Sequence, residues 1–69
     1  MYDISNYHYA REHGTEPRGR GCWAFESEDG STVWFVDKGL LTLTEAKREI
    51  CRKLKSEGVD PTTPIYVAP

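Results

Sequence analysis

The segment from Thr42 to Gly58, TLTEAKREICRKLKSEG, carries both ends of a helix and the face that helix must bury. Thr42 and Glu45 stand in the spacing of a capping box, in which the hydroxyl accepts from the glutamate N–H and the carboxylate returns the bond. Leu43, Ala46, Ile50 and Leu54 recur at steps of three, four and four, which is one helical face, and Cys51 flanks it. Lys47, Arg48, Arg52, Lys53 and Lys55 fill the other sides, and Glu49 stands four residues before Lys53, the spacing of a helical ion pair. Gly58 supplies a left-handed residue past the end, and Val59 falls where a Schellman motif brings an apolar side chain to Leu54. The pattern predicts a helix over 43–57. A one-sided helix in a chain of 69 residues needs a partner layer for its stripe, and so short a chain has material for a single modest core.

The partner layer is legible just upstream. GCWAFES and STVWFVD are β-rich runs flanking EDGS, and Asp29-Gly30 is a two-residue turn signal. A turn there pairs Ser27 with Thr32, Phe25 with Trp34 and Trp23 with Val36. The large side chains Trp23, Phe25, Trp34 and Val36 then share one face, the expected seat of the helix. Cys22, Ala24, Glu26, Val33, Phe35 and Asp37 take the other. A one-residue slip would scatter the aromatics over both faces.

The ends are less constrained. NYHYARE alternates Tyr7 and Tyr9 against His8 and Ala10, which favours a strand, reached through the loop HGTEPRGR. Ser5 as a cap and Gly14 as a stop describe the competing short helix. PIYVA reads as a short strand whose flanking prolines place it at an edge, where it could pair with a partner's strand or with its own copy in a homodimer. The expected fold is α+β: a small antiparallel sheet in the order β-β-β-α-β with one amphipathic helix packed on one face, in a single domain over 1–69.

Composition narrows the function classes. The chain is 38% hydrophobic and 29% charged, the profile of a globular domain and not of a disordered one. A net charge of −2 gives no global basic footprint for nucleic acid. No apolar run approaches membrane-spanning length, and MYDISNYHYAREHG lacks a signal-peptide pattern, so a cytoplasmic protein with no membrane partner is expected. Cys22 and Cys51 then read as reduced thiols.

RGRGCWAF, from Arg18 to Phe25, is similar over eight residues to the strand signature of the RNA-recognition motif. Arg18, Gly19, Gly21 and Phe25 match. Arg20 and Cys22 stand where that family places aromatics, so the main base-stacking groups are missing. A looser nucleic-acid surface can still be drawn. Arg18 and Arg20 would lie beside Tyr7, Tyr9 and Arg11 on a neighbouring strand, and Arg48, Arg52 and Lys55 would run along the helix's outer stripe. Residues 1–41 hold four basic and seven acidic groups, whereas 42–58 hold five and three, so the sheet half is acidic and the helix basic.

His8, His13, Cys22 and Cys51 have the donor count for tetrahedral zinc, but they lack knuckle spacing, and the expected register turns Cys22 away from the helix. No metal and no cofactor are therefore expected. There is no phosphate-loop pattern, no H-E-x-x-H and no placed nucleophile–base pair, so a non-enzymatic protein is expected.

Surface recognition remains. Eight aromatics are generous for so small a core, and exposed tyrosine and arginine are residues that carry interface energy. The expected contact set is Tyr7, Tyr9, Arg11, Arg18, Arg20 and Phe35, acting on a larger protein or ribonucleoprotein. In size and style the chain resembles accessory proteins of phages and mobile elements, among them inhibitors of host defence such as anti-CRISPR proteins. That likeness rests on no motif. It implies an inhibitor that covers a partner-binding or nucleic-acid-binding site.

Overall fold

The helix over 43–57 forms as its signals require. A computed structural model describes residues 2–36 and 38–69 of the chain. Its elements run β1 (Ile4–Ser5), α1 (Tyr7–His13), β2 (Arg20–Gly21), β3 (Ala24–Ser27), β4 (Val33–Phe35), β5 (Leu41–Thr42), α2 (Leu43–Ser56) and β6 (Ile65–Val67). At the start of α2 the Glu45 N–H donates to Thr42 Oγ1 at 3.3 Å, and the Thr42 N–H donates to Glu45 Oε1 at 3.0 Å, completing the capping box. At its end Gly58 adopts φ 76°, its N–H donates to the Lys55 carbonyl, and the Val59 N–H donates to the Leu54 carbonyl. Those two bonds are the Schellman pair.

The class is α+β. A four-stranded sheet has the order β1-β6-β3-β4, and β2 pairs with β5 in a second, two-stranded sheet. The hairpin register is as expected: Phe25 lies opposite Trp34, the Ser27 N–H donates to the Thr32 carbonyl, and the Val36 N–H donates to the Trp23 carbonyl. The tight turn itself sits one residue earlier than expected. The Gly30 N–H donates to the Ser27 carbonyl, so Glu28 and Asp29 occupy its centre and Gly30 follows at φ 76°. Asp29 stabilises this arrangement by accepting from the Ser27 hydroxyl and the Ser31 N–H. Asp37, expected on the outer face, lies outside the described residues.

The core sits between α2 and the sheet, as the apolar stripe demands. Ala46, Ile50 and Leu54 are fully buried with Phe25, Ile65 and Val67, and Trp23 and Tyr2 close the cluster. Each large apolar side chain so buried contributes about 1.5–3 kcal/mol. Trp23 also donates its indole N–H to the Leu41 carbonyl at 2.5 Å, which ties the second sheet to the first. The Tyr2 hydroxyl donates to the Val59 carbonyl just past α2.

Four expectations are corrected. NYHYARE is not a strand: Tyr7–His13 is helix α1, stopped by Gly14 at φ 70°. The period-two alternation of Tyr7 and Tyr9 is too short to outweigh this stop signal once a sheet face is available to dock on. The sheet is mixed and not wholly antiparallel, because β1 pairs parallel to β6. PIYVA is not an edge: β6 lies between β1 and β3, so the edges open to another strand are β1 and β4 instead. There are two helices on the sheet and not one. Successive strand residues face opposite ways, so Tyr66 points away from the side on which Ile65 and Val67 meet α2, and His8 of α1 stacks on it there.

Candidate binding surfaces

The side of the sheet that carries α1 holds a polar clasp at its centre. His8 is buried, its ring lies 3.9 Å from that of Tyr66 at an interplanar angle of 6°, and its Nδ1 is 2.5 Å from Glu26 Oε2. Glu26 and Tyr66 are cross-strand partners, so β3 and β6 present both groups to the same ring. Hydrogen bonding satisfies a polar group that burial would otherwise leave at a cost. Hydrophobic periodicity cannot find this contact, because the residue that points inward from α1 is a histidine.

Beyond the clasp, β4 is uncovered on this face. Val33 and Phe35 are two residues apart and both exposed, Phe35 by 60%, and Tyr7 on the outer side of α1 is equally exposed. The Arg11 guanidinium lies 5.7 Å from the centre of the Tyr7 ring. Tyr7, Tyr9 and Arg11 are therefore placed by a helix and not by the expected strand.

The expected contact set divides. Tyr9, Arg18 and Arg20 line one open concavity of about 300 Å³ together with Cys22 and Ala24. Tyr9 is half-buried, packed on the core and tilted against His13 with ring centres 4.3 Å apart. Phe35 lies opposite Ala24 in the strand register, next to this concavity. Arg18 is exposed. Arg20 does not lie in the expected loop HGTEPRGR: it belongs to β2, opposite Thr42, and its guanidinium reaches Glu45 Oε1 at 3.1 Å. The Glu45 carboxyl is held below the usual carboxylate range by the Thr42 N–H first, then by the Thr42 hydroxyl, with Arg20 adding to both. The pair is solvent-exposed, with the Arg20 side chain 60% exposed, so it orients Arg20 without removing it from the surface.

On α2, Arg48, Arg52 and Lys55 are exposed along one stripe, as expected. The ion pair of Glu49 is not with Lys53. Glu49 is 3.5 Å from Arg52 and 3.5 Å from Lys38. Lys53 instead donates to the Phe35 carbonyl at 2.9 Å, a tertiary acceptor that helical spacing does not reveal.

The four candidate zinc donors are dispersed. His8 is engaged with Glu26, Cys22 is exposed, and Cys51 sits half-buried on α2. Among the described residues no group of three His, Cys, Asp or Glu side chains is arranged around a common point. Among them, too, no helix is long and apolar enough to cross a membrane. Comparison with protein-family models, curated proteins and solved structures finds no match for the chain.

Proposed function

We propose that the protein is a small, non-enzymatic binding protein of the cytosol that covers a surface on a larger protein or ribonucleoprotein. The observation that carries this reading is the pair Val33 and Phe35, exposed together on the α1 side of β4; Tyr7 is separately exposed on α1. Adjacent exposed apolar and aromatic side chains on one face are a feature of interaction surfaces, whereas single scattered ones need no explanation. Arg11 and Arg18 add charge on the same half of the molecule. For a chain of this size the role would be that of an inhibitor of a host system, carried by a phage or mobile element in the manner of anti-CRISPR proteins. This extension rests on likeness of size and style alone.

The test is recovery of a stable complex from nuclease-treated lysate of the host or target cell. Phe35→Ser and Tyr7→Ala should each weaken the complex while leaving the thermal midpoint close to that of the parent. If both variants retain full binding, the contact surface is wrong. A nucleic-acid reading is favoured by one observation, the exposed stripe of Arg48, Arg52 and Lys55. It requires binding to single- or double-stranded nucleic acid that weakens steeply with salt, and it fails if neither is shifted at low salt.

A further inference from the structure

The two edges of the main sheet are β4 and β1, and they are treated differently. On β4, Trp34 faces Phe25, so the backbone groups of Phe35 turn outward, and the Lys53 ammonium covers the Phe35 carbonyl. A lysine laid on an edge discourages the addition of another strand. On β1, Ile4 lies opposite Ile65 in a parallel pair, and the Ile65 N–H is directed at the Asp3 carbonyl. In a parallel ladder that residue bonds to the two neighbours of its opposite number. Asp3 and Ser5 therefore turn their backbone groups to β6, and Ile4 turns its N–H and carbonyl to the open edge.

Beside this edge runs an apolar groove of about 490 Å³ between β1 and α2, lined by Tyr2, Ile4 and Cys51 and by Lys47 and Arg48. Among the described residues neither Lys47 nor Arg48 has a carboxylate within ion-pair distance. Glu49 is held by Lys38 and Arg52, and Glu45 by Arg20, so the carboxylates of this helix do not neutralise the groove.

We propose that the groove receives an extended acidic–apolar segment of a partner protein, which adds as a short strand along β1. The open backbone of Ile4 supplies strand hydrogen bonds. Alternate apolar side chains of the segment sit on Tyr2, Ile4 and Cys51. Its carboxylates meet Lys47 and Arg48. Main-chain pairing gives affinity in this mode of recognition, and alternate side chains give specificity. The surface lies on the α2 side of the sheet, away from Tyr7 and Phe35, so it stands or falls independently of the contact surface proposed above.

The probe is a fluorescein-labelled hexapeptide alternating valine and glutamate, followed by anisotropy and by amide chemical-shift mapping of the protein. The acidic peptide should bind, with shifts confined to residues 2–5 and 47–51, and more weakly as salt rises. The same peptide with lysine in place of glutamate should bind about tenfold or more weakly, the effect of two lost charge pairs. Arg48→Glu alone, at an exposed position, should narrow that preference, and Lys47→Glu with Arg48→Glu should reverse it. Methylation of alternate peptide nitrogens, tested in both frames, should abolish binding in the frame that faces β1. Absence of binding by the acidic peptide up to about 1 mM overturns the proposal. Equal binding of the lysine peptide, or of both methylated frames, does so too. Dodecanoate shifting residues 2–5 and 47–51 where the peptide does not would make the groove a site for an alkyl anion instead.

Discussion

Removing the imidazole of His8 should cost this protein a large part of its stability, although His8 is not in the main apolar core. Its side chain is 11% exposed and that of Glu26 is 18% exposed, so their contact at 2.5 Å is poorly screened by solvent. A hydrogen bond to a charged group contributes about 1.5–3 kcal/mol, and aromatic stacking of the kind His8 makes on Tyr66 about 0.5–1.5 kcal/mol. Together His8→Ala should cost about 2–4.5 kcal/mol. A domain of 69 residues is stable by about 3.5–10 kcal/mol in all. The variant should therefore unfold at a much lower urea concentration, and α1, left with Tyr9 as its main packed side chain, should fray first. Urea titrations followed by the fluorescence of Trp23 and Trp34, with far-ultraviolet circular dichroism in parallel, read this directly. The pair is isolated by a cycle of His8→Ala, Glu26→Ala and both together, for which a coupling of about 1–2 kcal/mol is expected. A coupling below about 0.3 kcal/mol would refute the claim that the contact holds α1 on the sheet.

Other outcomes follow from the same geometry. Thr42→Ala removes the capping hydroxyl of α2 and should cost about 1 kcal/mol in urea unfolding, with loss concentrated in helical dichroism. Leu54→Ala leaves a cavity at a fully buried position and should cost about 2–5 kcal/mol, read as a lower urea midpoint and faster amide exchange throughout the core. The Asp29 carboxyl is held down to about 2 from a usual 3.8, by the Ser31 N–H first and then by the Ser31 and Ser27 hydroxyls. Because the folded value lies below the unfolded one, its contribution is full above the unfolded value and is lost as pH falls from there towards 2. Asp29→Asn should flatten that stretch of the stability–pH curve, and an unchanged slope would show that the turn does not depend on the carboxylate.

How legible each part was depends on the range of the forces behind it. The capping box of Thr42 and Glu45 and the Gly58 stop involve atoms within a few residues of one another, so spacing alone exposes them. The pairing of Phe25 with Trp34 is nearly as local, being set by the turn and by which side chains can share a face. The contact set was less legible. Arg20 reads as a free cation until the fold brings Glu45, 25 residues away, to its guanidinium. Lys53 reads as the partner of Glu49 until the Phe35 carbonyl is placed beside it. One signal for the groove was present and unused: Tyr2 and Ile4 are apolar at a spacing of two, the pattern of a strand with one buried face.

The sequence by itself determined α2, its two ends, its buried stripe and the hairpin that the stripe covers, because helix caps, turns and side-chain alternation act over short stretches of chain. Only the tertiary structure decided the rest. A helix as short as α1 cannot stand alone in water, and it exists here because His8 finds Tyr66 and Glu26 on a sheet made from distant strands. β6 becomes an interior strand because β1 arrives on its far side, a pairing across some 60 residues that no local pattern encodes. The open edge beside Lys47 and Arg48 is a product of that same assembly.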